Sequence, residues 1–91
     1  MTFKMTWALA GEHVDAWIGD DFTEAASVLN REVGATVSTS GMHGDAQAHF
    51  RESFLVPLSI GVAGAGRKAV ESGRIWDRAA GPLLVLLSPA A

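Results

Sequence analysis

Six apolar residues, Val14, Ile18, Phe22, Ala25, Leu29 and Val33, follow one another at spacings of 4, 4, 3, 4 and 4. Such spacing is one stripe of an α-helix, because residues three and four apart share a helical face. Trp17 and Ala26 widen the stripe, and Asp15, Asp20, Asp21, Glu24, Asn30 and Arg31 fall mainly off it. The spacing predicts a first helix over 12–36, ending between Gly34 and Val37. Glu12 and Asp15 near its start suit the positive end of a helix dipole.

Ahead of this stripe the period differs. Phe3, Met5, Trp7 and Leu9 alternate with Thr2, Lys4, Thr6 and Ala8, the mark of a half-buried strand over 1–10. Ser38-Thr39-Ser40-Gly41 is a break, and 38–44 reads as a turn. A second helical stripe, Ala46, Phe50, Phe54, Leu58, Val62, Ala65 and Ala69, predicts a helix over 45–72. Pro57 removes a backbone donor and crowds the preceding turn, so a kink or interruption is expected near Val56–Ile60, with a strand at Leu55–Ile60 as the competing reading. Arg74–Ala80 reads as one further turn. Gly81-Pro82 breaks it, and Leu83–Leu87 is either a strand beside Phe3–Leu9 or a greasy tail docking on a partner.

The expected architecture is therefore one small, mainly α domain. It is an antiparallel helix–turn–helix hairpin with short strands at the two termini as the open question and α+β as the alternative. The interaction core predicted for it is Val14, Ile18, Phe22, Leu29, Val33, Phe50, Phe54 and Leu58. Met42, His43 and Gly44 form its turn.

Composition narrows the function classes. There is no cysteine among the 91 residues, which excludes a disulfide framework and a thiolate metal site. Hydrophobic residues are 48% and charged residues 19% of the chain, which argues for a packed domain over a disordered tail. A net charge of −3 argues against a general nucleic-acid binder. The longest uncharged internal run, Ser53 to Gly66, has fourteen residues with a proline and three glycines. That is short of the roughly 20 that span a bilayer, so no stable membrane insertion is expected. Acidic residues come too soon after Lys4 for a secretory signal peptide. Charge is uneven: residues 1–45 hold two cationic and seven anionic side chains, and 46–91 hold five and three. The halves would attract each other, or the opposite halves of a second copy.

Candidate chemistry is thin. Asp45 and His49 are i,i+4 and could chelate with His43, but a zinc site wants three or four ligands, and His13 would have to come from the other helix. Gly61-Val62-Ala63-Gly64-Ala65-Gly66-Arg67-Lys68 is rich in glycine like a phosphate loop, yet Arg67-Lys68-Ala69 replaces the Lys-Ser/Thr that such a loop needs. Small residues there more often permit close helix–helix approach. No serine–histidine spacing makes a triad or an elbow. No catalytic, cofactor-binding or metal-binding residue is assigned, no cofactor is expected, and the chain is read as a non-enzyme.

Met42-His43-Gly44-Asp45-Ala46-Gln47-Ala48-His49-Phe50 resembles the turn of the WXG-motif family, the small helical-hairpin substrates of type VII secretion. In that family a Trp-x-Gly tripeptide lies in the turn, with an alanine two residues after the glycine and an aromatic six after it. Gly44, Ala46 and Phe50 fit those positions. Met42 stands at the tryptophan position, and the C-terminal export signal, a tyrosine followed by an acid, has no counterpart because the chain lacks tyrosine. The resemblance implies a four-helix dimer, no catalysis and export through a partner's signal, with Gly44 the turn position most sensitive to substitution.

The functional expectation is a protein–protein assembly module, a homo- or hetero-oligomer with protein partners. It would be made in the cytoplasm and exported without a signal peptide in the secretion reading. The alternative is a small phage virion or tail-assembly component that forms oligomers, and a small metal- or nucleotide-binding enzyme comes third.

Overall fold

The computed structural model describes residues 2–10 and 13–90. The chain forms two antiparallel strand pairs separated by two helices. Strands β1 (Phe3–Leu9) and β2 (His13–Gly19) come first, then α1 (Phe22–Ser38), then a long helix α2 over 44–71, then β3 (Trp76–Ala80) and β4 (Leu83–Pro89). The strands make one antiparallel sheet in the order β2-β1-β4-β3. The first and last strands are thus neighbours at its centre, paired from Phe3 with Pro89 to Leu9 with Leu83. The protein is α+β, a sheet with two helices laid on one face, and not a helical hairpin with strands only at its ends.

The expected first helix is where the reading fails. Residues 13–19 are strand β2, paired with β1 from Phe3–Gly19 to Leu9–His13. A spacing of four is two strand periods as well as roughly one helical turn, so Val14 and Ile18 satisfy both patterns. Ala16 between them completes an alternating strand face. The true helix begins after Asp21, whose carboxylate accepts hydrogen bonds from the backbone N–H of Thr23 (2.8 Å) and Glu24 (3.1 Å). That places Asp21 as a side-chain cap with Glu24 in the first turn, a signature legible in Asp21-Phe22-Thr23-Glu24.

The second helix is not interrupted at Val56–Ile60. It runs on through Pro57 because the turn before it, Arg51–Leu55, widens to π geometry, with the Val56 N–H donating to the Arg51 carbonyl five residues back. The wider turn relieves the contact that a proline ring makes with the preceding turn. A second π turn spans Val62–Gly66. The further turn expected over Arg74–Ala80 is replaced by strand β3, and Leu83–Leu87 lies in β4, paired beside Phe3–Leu9 and not a free tail, with the hairpin turned at Gly81 at φ of +55°.

One hydrophobic cluster joins the layers. From the sheet it takes Phe3, Met5, Trp7, Trp76, Leu83, Val85 and Leu87, and from the helices Ala25, Leu29, Val33, Leu55, Leu58 and Val62, among others. Phe3 stacks on Phe22 with centroids 4.1 Å apart, and Trp17 meets Phe3 edge-on at 5.7 Å. The glycines of 61–66 serve this interface. A Cβ at Gly66 would lie 2.6 Å from Leu87 Cδ1, and one at Gly61 3.0 Å from the Trp76 ring. These small residues bring α2 close to the sheet, not to another helix.

The charge imbalance between the two halves is not neutralised across the fold. Among the described residues the ion pairs are Arg31–Glu32 at 3.6 Å and Arg67–Glu71 at 3.3 Å, each within one half. Arg51 does link the halves, donating to the Gly34 carbonyl and to Ser38 Oγ.

Candidate interaction surface

Alternation sends every second strand residue away from the helices. The registers of the three strand pairs align these outward residues in rows across the sheet. Val14, Ala8, Leu84 and Ala79 form one row, and Ala16, Thr6, Leu86 and Asp77 the next. Ile18, Lys4 and Ser88 begin a third. Among the described residues nothing covers this face. Val14 is 65% exposed, Ile18 62% and Leu84 46%, and Ile75, just before β3, is 65% exposed.

The surface is corrugated by strand. Outward from β2 stand Val14 and Ile18, and from β4 Leu84 and Leu86. Thr6 and Ala8 on β1, and Ala79 on β3, are short. Large side chains on the first and third strands in space thus flank small ones on the second and fourth. Lys4 and Asp77 are the charged side chains on its strands. The outer edge of the sheet at β2 is partly blunted, because the Asp15 carboxylate accepts the backbone N–H of Ala16 at 2.8 Å.

The predicted core residues divide. Phe22, Leu29, Val33, Phe50 and Leu58 are buried within the chain. Phe54 is half-buried, its ring edge-on to Phe50 at 5.5 Å and to His49 at 5.7 Å. Val14 and Ile18 are not on a helix and not in the core; they stand on the open sheet face. In the turn, Met42 borders a small apolar cavity of about 200 Å³ with Leu9, Val37 and Phe50. His43 takes the cap position of α2 without a side-chain capping bond, and Gly44 is the first residue of that helix. A Cβ at Gly44 would meet nothing within 4 Å, so this glycine is not the constrained position of the turn; Gly41, at φ of +80°, is.

The residues weighed for chemistry are occupied otherwise. His49 Nδ1 lies 3.4 Å from Ser53 Oγ, and among the described residues no group of three His, Cys, Asp or Glu is placed to hold a metal. Residues 61–68 are helix, packed on the sheet through Gly61 and Gly66. A cleft of about 460 Å³ lies between Asp20, Asp21, Phe22, Thr23, Arg67 and Glu71. Its Asp21 caps α1, and its Arg67 Nε pairs with Glu71. Among the described residues no helix is long and apolar enough to cross a membrane.

Comparison with protein-family models, with curated proteins and with solved structures finds no match to the chain.

Proposed function

We propose that the chain is a non-enzymatic protein–protein assembly module and that the uncovered face of its sheet is the docking surface. The observation that carries this reading is the exposure of Val14, Ile18, Leu84 and Ile75 on or beside one face of a sheet whose other face carries the core. Contiguous apolar surface held in a rigid sheet costs solubility and finds its usual explanation in a partner. Of the two kinds of assembly the sequence suggests, the oligomer-forming structural component has the better support. A secretion-type four-helix dimer needs the inner face of the α1–α2 hairpin free to meet a second hairpin, and here that face is spent on the sheet.

The test is site-specific photo-crosslinking in the cells that naturally make the chain. A photoreactive residue at Leu84 should give protein adducts, and one at Arg31, exposed on α1, should give none. Adducts from Arg31 with none from Leu84 would remove the proposal.

A further inference from the structure

We infer that the occupant of the open sheet face is a second copy of this chain, packed face to face about a two-fold axis that runs along the strands between β1 and β4. The inference rests on the proposed docking surface and names its partner.

The first argument is shape. A two-fold rotation about that axis lays each central strand over its counterpart, β4 of one copy on β1 of the other, and each edge strand likewise, β2 on β3. The large residues of β4, Leu84 and Leu86, then meet the short Thr6 and Ala8 of β1. Val14 of β2 meets the short Ala79 of β3, and Ile18 comes opposite Ile75, just before β3, as an apolar contact between two exposed side chains. On the two central strands each ridge finds a trough, the self-complementarity that an isologous contact requires. Sheets stacked this way lie about 10 Å apart with their strands nearly aligned, the arrangement of a β-sandwich.

The second argument is charge. The face holds one lysine and one aspartate on its strands, so two copies meet without net charge. The rotation sets Lys4 diagonally opposite Asp77 of the second copy, one strand across and one row along, and sets the reverse pair by symmetry. A flexible lysine stem suits such a diagonal. Edge-to-edge growth through β2 is the weaker alternative, because Asp15 already occupies the Ala16 N–H.

The third argument is size. Four strands about 4.8 Å apart and five to seven residues long make a patch roughly 19 by 20 Å. Two such patches with their side-chain relief bury roughly 1,000 Å², the threshold of a specific interface. The dimer is therefore of the weak, concentration-dependent class, with a dissociation constant on the order of micromolar.

Sedimentation equilibrium of the purified chain tests this. The weight-average mass should rise from 9.6 kDa toward twice that value with concentration. Leu84→Glu, or Ile18→Lys if the first does not fold, should stay monomeric with an unchanged circular dichroism spectrum. Lys4→Asp and Asp77→Lys should each weaken the dimer about 3- to 10-fold, and the double swap should restore it. A wild-type chain that is monomeric up to about 1 mM, a dimer indifferent to Leu84→Glu and Ile18→Lys, or a double swap no better than the singles would overturn the inference. A monomer that still crosslinks through Leu84 to a different protein would overturn the self-pairing and leave the docking surface standing.

Discussion

Single glycines decide how closely the helical layer can lie on the sheet. At Gly66 an added methyl would press on the Leu87 Cδ1 at 2.6 Å and on a neighbouring carbonyl at 3.1 Å. Leu87 is itself fully buried at the centre of the sheet, so it has little room to move. Gly66→Ala should therefore cost about 1–3 kcal/mol by overpacking, although alanine is the better helix former. Gly44→Val, at an open position, should stay within about 1 kcal/mol of wild type. Urea unfolding of both variants checks this, and the reverse order would show that the chain closes at the α1–α2 turn and not at the helix–sheet contact. The sequence alone shows these glycines as a cluster, but not which surface they face. Phosphate loop, helix–helix seam and helix–sheet seam all use the same small residues. Only the Trp76 and Leu87 side chains beneath them, brought there by the last two strands, distinguish the three.

Among the elements, the alternation of Phe3, Met5, Trp7 and Leu9 announces β1 because strictly odd positions carry all its bulk. The second helix, expected as an interrupted one over 45–72, runs over 44–71 with two π turns, and Phe50, Leu58 and Val62 of its stripe are buried. The misplaced element is β2. Its outward face, Val14, Ala16 and Ile18, is apolar, while the side facing the helices carries His13, Asp15, Trp17 and Gly19. A strand at a sheet edge with its greasy side turned outward inverts the usual pattern, and its 4-residue spacing runs without a break into the stripe of α1. The discriminating signal was present at Asp21-Phe22-Thr23-Glu24, whose cap starts the helix eight residues after Val14. A direct consequence is measurable. In dilute solution Ile18→Thr should change the unfolding free energy by no more than about 0.5 kcal/mol. Leu29→Ala, fully buried on α1, should cost about 2–5 kcal/mol. Equal losses at the two positions would restore the single-helix stripe and remove β2.

Taken as a whole molecule, the chain buries one complete core between two layers and leaves a second apolar surface over. Its accessible surface, 5173 Å², is close to the roughly 5,100 Å² of a compact monomer of this mass. Phe22, Leu29 and Val33 of α1 and Phe50, Leu58 and Val62 of α2 are buried within the chain, while Val56 and Ile60 stay exposed on α2. The surface proposed for a partner is the far side of the sheet, and neither sequence period nor composition could locate it. Leu83–Leu87 is apolar at every position, and only its central place between β1 and β3 shows that Leu83, Val85 and Leu87 turn inward while Leu84 and Leu86 turn out. The most direct measurement is a dilution series of two-dimensional amide spectra of the assigned, isotope-labelled chain. The shifts that move with concentration should belong to Lys4, Thr6, Ala8, Leu84 and Leu86, with the outer face of α2 unchanged. Movement confined to the helices, or none at any concentration, would contradict the account.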